Sequence, residues 1–492
     1  MPQPIRIHPE NPRLFEFRGR PRVLLTATEH YGAVMNRPFN FARYLADAAA
    51  KGMTLTRLFM LFRELQNHCN PYSTCKVESP DYVAPFLRTG PGRALDGEPK
   101  FDLDRPNPEF FARLHRFLSL ASEYGIVVEV VLLSNTYEER IWALNPLNSA
   151  NNVNGLRPIS WPTCMTLRHP DLVARQLAHV RRIVEEVNPY DNLFFEPCNE
   201  PGGGLSGENN PSVEEVNDWQ RAIAATIRQT EAGLPHRHLI AGQEAFQWSP
   251  FVQLSTRSFR DFPIDVVNVH PLPDTTFDGA TYDMGRFMSK ELKLRPLRDY
   301  CLATRFEAKP LNLDEDNVAS QYKDPDGWTI HRKRAWTTLM CGAHYDVIDF
   351  SIINYCETGT EASQRQFRTW FKHLSGFIHG LDLVRSRPLP GLVTQLPDHV
   401  LDAAFGVPGE EVAIYLADER ELDEPGAGTP IHGKLTLDLA PGLYLVSCFS
   451  PETGLWSPGL SVPGGPATTI DLPAFTHDLV VRATRVHPAS AP

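Results

Sequence analysis

The chain is short of several features that would settle its class at once. It has 8 cysteines in 492 residues, too sparse for a disulfide scaffold. Cys69 and Cys75 are near enough in sequence to pair, although free thiols fit the overall usage better. No zinc-type cysteine spacing occurs, and His236-x-His238 alone does not make a metal site. Positive charge is not in excess: 48 Lys and Arg stand against 59 Asp and Glu, a net charge of −11. That argues against nucleic acid or an anionic membrane as the main partner. No apolar run has the length of a membrane-spanning helix. The polar start MPQPIRIHPENPR is no signal peptide, which reads as a cytoplasmic protein, or a secreted one whose export signal has been removed.

What is present is a hydrophobic fraction of 42%, enough for a large core, in a chain long enough for two domains. The most informative stretch is NLFFEPCNEP, residues 192–201. Leu193, Phe194 and Phe195 form the apolar run of a buried parallel strand. Pro197 and Pro201 have no backbone N–H, so ladder pairing weakens at the first and stops by the second. Gly202, Gly203 and Gly204 then release the chain. An amide and a carboxylate, Asn199 and Glu200, are thereby held at the carboxyl end of a strand, where barrel enzymes keep their chemistry.

This stretch resembles the fourth-strand signature of clan A glycoside hydrolases, the cellulase-like (β/α)8 enzymes. The resemblance implies that Glu200 is the general acid/base and that Asn199 holds the 2-hydroxyl of the sugar being cleaved. It also implies a second carboxylate at the end of strand seven. The segment Lys309–Glu315, KPLNLDE, is similar to the clan's strand-seven pattern and makes Glu315 the nucleophile. The two-carboxylate chemistry that the resemblance implies needs neither a metal nor an organic cofactor. Positions 200 and 315 leave room for the intervening β/α units. Asp314 and Asp316 flank Glu315, and simple alternation along a strand turns them to the other face.

Other candidates follow in chain order. The first strand, Arg22 to Ala27, runs into Thr28-Glu29-His30-Tyr31-Gly32; Glu29, His30 and Tyr31 suit a sugar subsite or, equally, a buried polar cluster. Arg57 lies inside strand two (Met53 to Met60), where a charge is costly unless paired. In the clan such an Arg binds the nucleophile; it could instead bridge barrel carboxylates such as Glu196. Residues 66–100 read as a long, helix-poor loop. Strand three, Ile126 to Leu133, leads into a loop to Pro170 that carries Asn135, Tyr137, Trp142, Trp161 and the run NPLNSANNVNG. Amides and indoles of this kind fit carbohydrate, or hold the loop together. Trp248 lies beyond strand five, His238 to Gly242. Strand six, Ile264 to Val269, delivers His270, but Pro271 and Leu272 follow where the clan often has a Tyr supporting the nucleophile; Tyr282 is a candidate substitute. Tyr355 and Glu357, past strand eight, are rim candidates.

After Pro388 the pattern changes from helix-length to strand-length runs, the mark of a small antiparallel sandwich. It resembles the C-terminal β-domains attached to many cellulase-like barrels, including those of the collagen-binding type. The expected organisation is a (β/α)8 barrel over residues 1–385 and a β-sandwich over 386–492. The expected activity is retaining hydrolysis of O-glycosidic, preferentially β, linkages in a glycoside, oligosaccharide or polysaccharide. The alternatives are a carbohydrate-binding pseudoenzyme on the same scaffold and a transglycosylase.

Overall fold

A computed structural model describes residues 3–27, 32–61, 81–202, 210–245, 247–248, 251–252, 263–306, 308–352 and 356–487. Eight parallel strands occur among them: β1 (Leu25–Thr26), β2 (Leu55–Phe59), β3 (Val127–Ser134), β4 (Leu193–Asn199), β5 (Ala241–Gly242), β6 (Val266–Val269), β7 (Leu311–Asp316) and β8 (His344–Val347). The ladder β2-β3-β4 and the ladder β5-β6-β7-β8-β1 are each continuous. A parallel bridge pairs Phe195 of β4 with Ile240, next to β5. Between β1 and β2, Thr54 N donates to Leu25 O at 2.9 Å. The strands are buried and apolar, as a sheet covered on both faces requires.

Helices fill the connections, and their ends follow from sequence. In α1 (Phe41–Ala50), Asn40 caps the Arg43 amide, and Gly52 turns the chain away at φ 72°. Helix α2 (Pro108–Tyr124) starts with Asn107 as cap and Pro108 in its first turn. Helix α3 (Pro170–Val187) precedes β4, and α4 (Val213–Glu231) begins with a Ser212/Glu215 capping box. Helix α5 is Leu294–Ala303, α6 is Pro325–Met340 and α7 is Phe367–Ile378.

Residues 6–22 form a three-stranded antiparallel sheet. It packs against the amino ends of the parallel strands: Phe15 and Phe17 share an apolar cluster with Leu24, Leu55, Val127, Phe194, Ala241 and Val266. The expected loop over residues 66–100 is corrected in its second half, where Phe86–Arg93 and Pro99–Pro106 pair as a hairpin; residues 66–80 lie outside the described set.

From Arg387 onward the structure is antiparallel. One sheet of six strands contains Val400–Val407, Glu411–Asp418, Gly442–Phe449 and Asp478–Arg485, and a second of three contains Ile431–Leu437 and Thr468–Phe475. Ile414, Leu416, Leu435, Tyr444 and Ile470 lie in the cluster they share. No helix among the described residues is long and apolar enough to cross a membrane.

Candidate active site

Side chains from β3, β4 and β7 converge on one charge, Arg57 of β2. Its side chain is fully buried on β2, and a buried guanidinium persists only if acids surround it. Nη1 donates to Glu315 Oε1 at 2.5 Å, and Nη2 donates to Glu196 Oε2 and, at 3.2 Å, to Asn199 Oδ1. Asp314 Oδ2 is 3.2 Å from Nη2, and Glu129 Oε2 is 3.6 Å from Nε. Arg57 therefore makes both of the contacts foreseen for it, with the strand-seven carboxylate and with Glu196.

Above Arg57, three residues hold left-handed backbone although none is glycine: Tyr137 (φ 59°), Glu200 (φ 45°) and Glu315 (φ 49°). Such conformations cost on the order of 1–3 kcal/mol each and persist where the surroundings enforce them. Asn135 enforces two of them. Its Oδ1 accepts from Tyr137 N at 2.9 Å, its Nδ2 donates to Glu200 O at 3.1 Å, and its own N–H reaches Asn199 O at 3.1 Å. These bonds make Asn135 an organiser of the two neighbouring strand ends. Tyr137 Oη in turn donates to Glu200 Oε2 at 2.5 Å and accepts from Asn199 Nδ2 at 3.0 Å.

Glu315 is turned inward by an irregularity in β7. Its register with β8 shifts between Leu313 and Asp316, and Glu315 N donates to Asp346 Oδ1. The irregularity corrects the expected alternation. Asp314 does not face away: it joins Arg57 and His270 on the inner side, while Asp316 binds Arg334 of α6.

His270, at the end of β6, lies between the acids. Nδ1 is 3.0 Å from Glu200 Oε1 and 3.6 Å from Glu315 Oε2, and Nε2 is 3.3 Å from Asp314 Oδ2. The donor atoms of Glu200, His270 and Glu315 all fall within 4.8 Å of one another.

The electrostatics follow from burial set against these partners. Burial alone would lower His270, but Glu315, Asp314 and Glu200 outweigh it and raise the ring well above the ordinary histidine value. Burial raises Glu315, with His270 and Arg57 opposing. Burial, reinforced by Asp314 and Glu196, raises Glu129 well above the carboxylate range. Glu196 is pushed up to about 7 by burial despite Arg57. Asp314 is also buried, yet Arg57, His270 and a hydrogen bond with Asp346 hold it at about 2. Tyr137 is raised well above its ordinary value by burial and the nearby acids.

The Glu129–Glu196–Asp314 triad already surrounds the Arg57 guanidinium, which occupies the place a cation would take there. His236 and His238 bond Asn188 and Glu231 respectively.

The remaining sequence candidates separate clearly. Glu29, His30, Tyr31 and Tyr355 lie outside the described residues, and of Trp248 only the strand backbone, paired with Phe251–Val252, is described. Tyr282, the candidate substitute for the missing Tyr after His270, packs edge-on against Tyr300 at 5.5 Å, and the groups that meet Glu315 include Arg57, His270 and Asp346. Glu357 is buried and accepts from Asn40 N at the start of α1. The amides of Asn148, Asn151 and Asn152 bond the backbone of their own loop, and Trp142 is buried. Asp346, Asn268 and the inward turn of Asp314 were missed. Asn268, which donates to Glu129 Oε1 at 2.6 Å, left one usable signal: a polar residue within an apolar strand.

A domain family of unknown function, DUF6298, matches residues 72–162. No match is found among curated proteins. Among solved structures, the chain is similar to a glycoside hydrolase family 5 protein from Bacteroides vulgatus (TM-score 0.63, 11% identity), over 98% of this chain and 94% of that one. It is similar also to a protein described as a glycoside hydrolase (TM-score 0.61, 10% identity, 98% and 97% covered). A family 30 subfamily 8 xylanase from Clostridium acetobutylicum is a further neighbour (TM-score 0.51, 10% identity, 94% and 96% covered). At these identities the likeness is one of fold: the chain shares with them a mixed α/β architecture built on parallel strands.

Proposed function

We propose that the chain is a retaining glycoside hydrolase, with Glu315 as nucleophile and Glu200 as acid/base, built on a closed (β/α)8 barrel followed by a β-sandwich from about residue 386. The observation that carries this reading is the spacing of the two carboxylates. One oxygen of Glu200 and one of Glu315 come within 4.8 Å of each other at the ends of β4 and β7, and His270 Nδ1 meets both acids, at 3.0 Å and 3.6 Å, so the two carboxyl groups face each other across a short gap. Retaining pairs stand about 5–5.5 Å apart, whereas inverting pairs leave about 6.5–9.5 Å for a water. Barrel closure is supported by the β4/β5 bridge and the β1/β2 hydrogen bond, which join the two parallel ladders at both ends.

The chemistry follows from the contacts. Arg57, 2.5 Å from Glu315 Oε1, favours the ionised form that attacks the anomeric carbon. The His270 ring lies 3.0 Å from Glu200, and the proton that Glu200 gives to the departing glycosidic oxygen is shared across this contact. In the second half, Glu200 takes a proton from water as the glycosyl ester of Glu315 is hydrolysed. Asn199, fixed by Arg57 and Tyr137, orients the sugar hydroxyl beside the reacting carbon.

A panel of chromogenic glycosides and polysaccharides, assayed for released phenol and sugar, tests the reading. Turnover that disappears in Glu315→Ala supports it. Binding of carbohydrate without turnover would establish the pseudoenzyme instead, and transfer to added alcohols in place of water would establish the transglycosylase.

A further inference from the structure

Helix α6 carries three consecutive cations, Arg332, Lys333 and Arg334, all buried. A run of buried charge in one helix is costly unless each group is matched, and each is matched differently. Arg332 donates through Nε and Nη2 to Asp478, both at 2.9 Å, with its guanidinium 4.0 Å from the Trp370 ring centroid. Lys333 Nζ donates to Asp418 O at 2.9 Å. Asp478 and Asp418 belong to the C-terminal antiparallel sheet. Arg334 points the other way, into β7, where Nε donates to Asp316 Oδ2 at 2.6 Å.

Asp316 directly follows Glu315 on the irregular strand end. Besides Arg334, its Oδ2 accepts from Tyr345 Oη at 2.7 Å, so it is clamped from α6 and β8 together. The left-handed turn at Glu315 thus has two anchors, Asp346 on the Glu315 amide and the Asp316 clamp one residue on. A second path reaches the same clamp. Glu421, from a C-terminal loop, accepts from Leu292 N at 2.5 Å and Lys293 N at 3.1 Å, and Arg334 Nη1 donates to Leu292 O at 2.8 Å. Trp336, two residues along α6, stacks on Tyr415 of the C-terminal sheet at 5.5 Å and 12°.

We infer that Asp316 and Arg334 are positioning residues for Glu315, and that the C-terminal sheets, by fixing α6, are a working part of the site and not an appendage. The inference rests on the reading of Glu315 as nucleophile. Neither residue touches substrate. Their task is to keep the Glu315 backbone at positive φ, so that its carboxylate meets Arg57 below and a sugar above.

The test uses the full chain carrying Asp316→Asn with Arg334→Met. Removing both charges together avoids leaving one buried and unmatched. The expected result is a folded protein, by thermal melting, with kcat on an aryl glycoside reduced about 10²-fold and KM changed less than about threefold. The rate of covalent inactivation by a 2-deoxy-2-fluoro glycoside falls in parallel, because that step reads nucleophilic attack alone. Glu421→Gln, outside the clamp, gives a smaller loss of the same kind. A crystal structure of the double variant shows Glu315 out of its left-handed turn and off Arg57. Unchanged kcat in the folded variant, or an unmoved Glu315 in its structure, overturns the inference. If the wild-type protein cleaves no glycoside, the functional reading falls, while the structure still decides whether the clamp positions Glu315.

Discussion

Tyr137 and Glu200 are joined by a 2.5 Å hydrogen bond, and both hold left-handed backbone. The strain in each is stabilised by one side chain, Asn135, which bonds the Tyr137 amide and the Glu200 carbonyl. The Glu200 carboxylate is thus aimed from two directions, by its own turn at the end of β4 and by a hydroxyl from the loop after β3. Removing the hydroxyl leaves the turn intact, so it separates aim from fold.

Tyr137→Phe is expected to fold normally and to lose about 10²-fold in kcat/KM on glycosides with poor leaving groups, which need the general acid. Activated aryl glycosides, whose phenolate departs without a proton, lose far less. Steady-state kinetics across a series of leaving groups reads the contrast as a steeper dependence on leaving-group acidity.

His270 is raised well above its ordinary value against the effect of burial, and Glu315 is the foremost acid holding it there. Glu315→Gln removes that negative neighbour, which favours the neutral ring. The expected outcome is a lower titration midpoint for His270, measured by nitrogen-15 NMR of the imidazole. An unchanged midpoint would mean that Asp314 and Glu200 alone fix the charge.

His344 gives a pH dependence of stability with a definite sign. It is buried, with Nδ1 accepting from Leu24 N and Nε2 donating to Arg13 O, each at 3.0 Å. Burial brings its pKa down to about 3. Between that value and about 6.5 the unfolded chain binds a proton that the folded chain does not, so stability rises with pH there. The contribution is complete above about pH 6.5 and is lost as pH falls toward 3. Urea melts should show a shallower slope over this window in His344→Gln than in the wild type.

How much of this was legible in the sequence differs element by element. Asn199 and Glu200 stood out because they end an apolar run between two prolines, and Glu315 through the resemblance of KPLNLDE to a known strand pattern; the structure brings all three together at the ends of β4 and β7. Arg57 could be read because a charge inside a strand must be matched. Asp314 could not be read: alternation assigns it to the far face, and only the register shift beside β8 brings both Asp314 and Glu315 inward. The Asn-rich loop left two readings open, and the contacts choose between them. Asparagine side chains satisfy local backbone as readily as sugar hydroxyls, and here Asn148, Asn151 and Asn152 do so. The strand-length pattern after Pro388 placed the C-terminal antiparallel sheets, but their docking on α6 was invisible, because buried Arg332, Lys333 and Arg334 look like a solvated helix face.

Trp336 measures that docking. It is fully buried and stacks on Tyr415, with Phe377 at 5.1 Å and Phe449 at 6.0 Å. Trp336→Ala should destabilise the protein by about 3–5 kcal/mol, read from denaturant melts, and the cavity should loosen the C-terminal sheets along with α6. Two separated unfolding transitions in the variant would show that the sheets had been coupled through this contact.

The most direct test of the central claim separates the two carboxylates by role. Glu200→Ala, given an activated aryl β-glycoside, should show a burst of phenol followed by slow turnover, because Glu315 still forms the glycosyl-enzyme. Added azide should restore turnover, since a small anion occupies the space left by the carboxylate and needs no general base. The account predicts a β-glycosyl azide, with the configuration of the substrate kept, and no phenol release at all from Glu315→Ala without azide. A product of inverted configuration from Glu200→Ala would exchange the roles of Glu200 and Glu315, and full activity in both variants would place the chemistry elsewhere in the molecule.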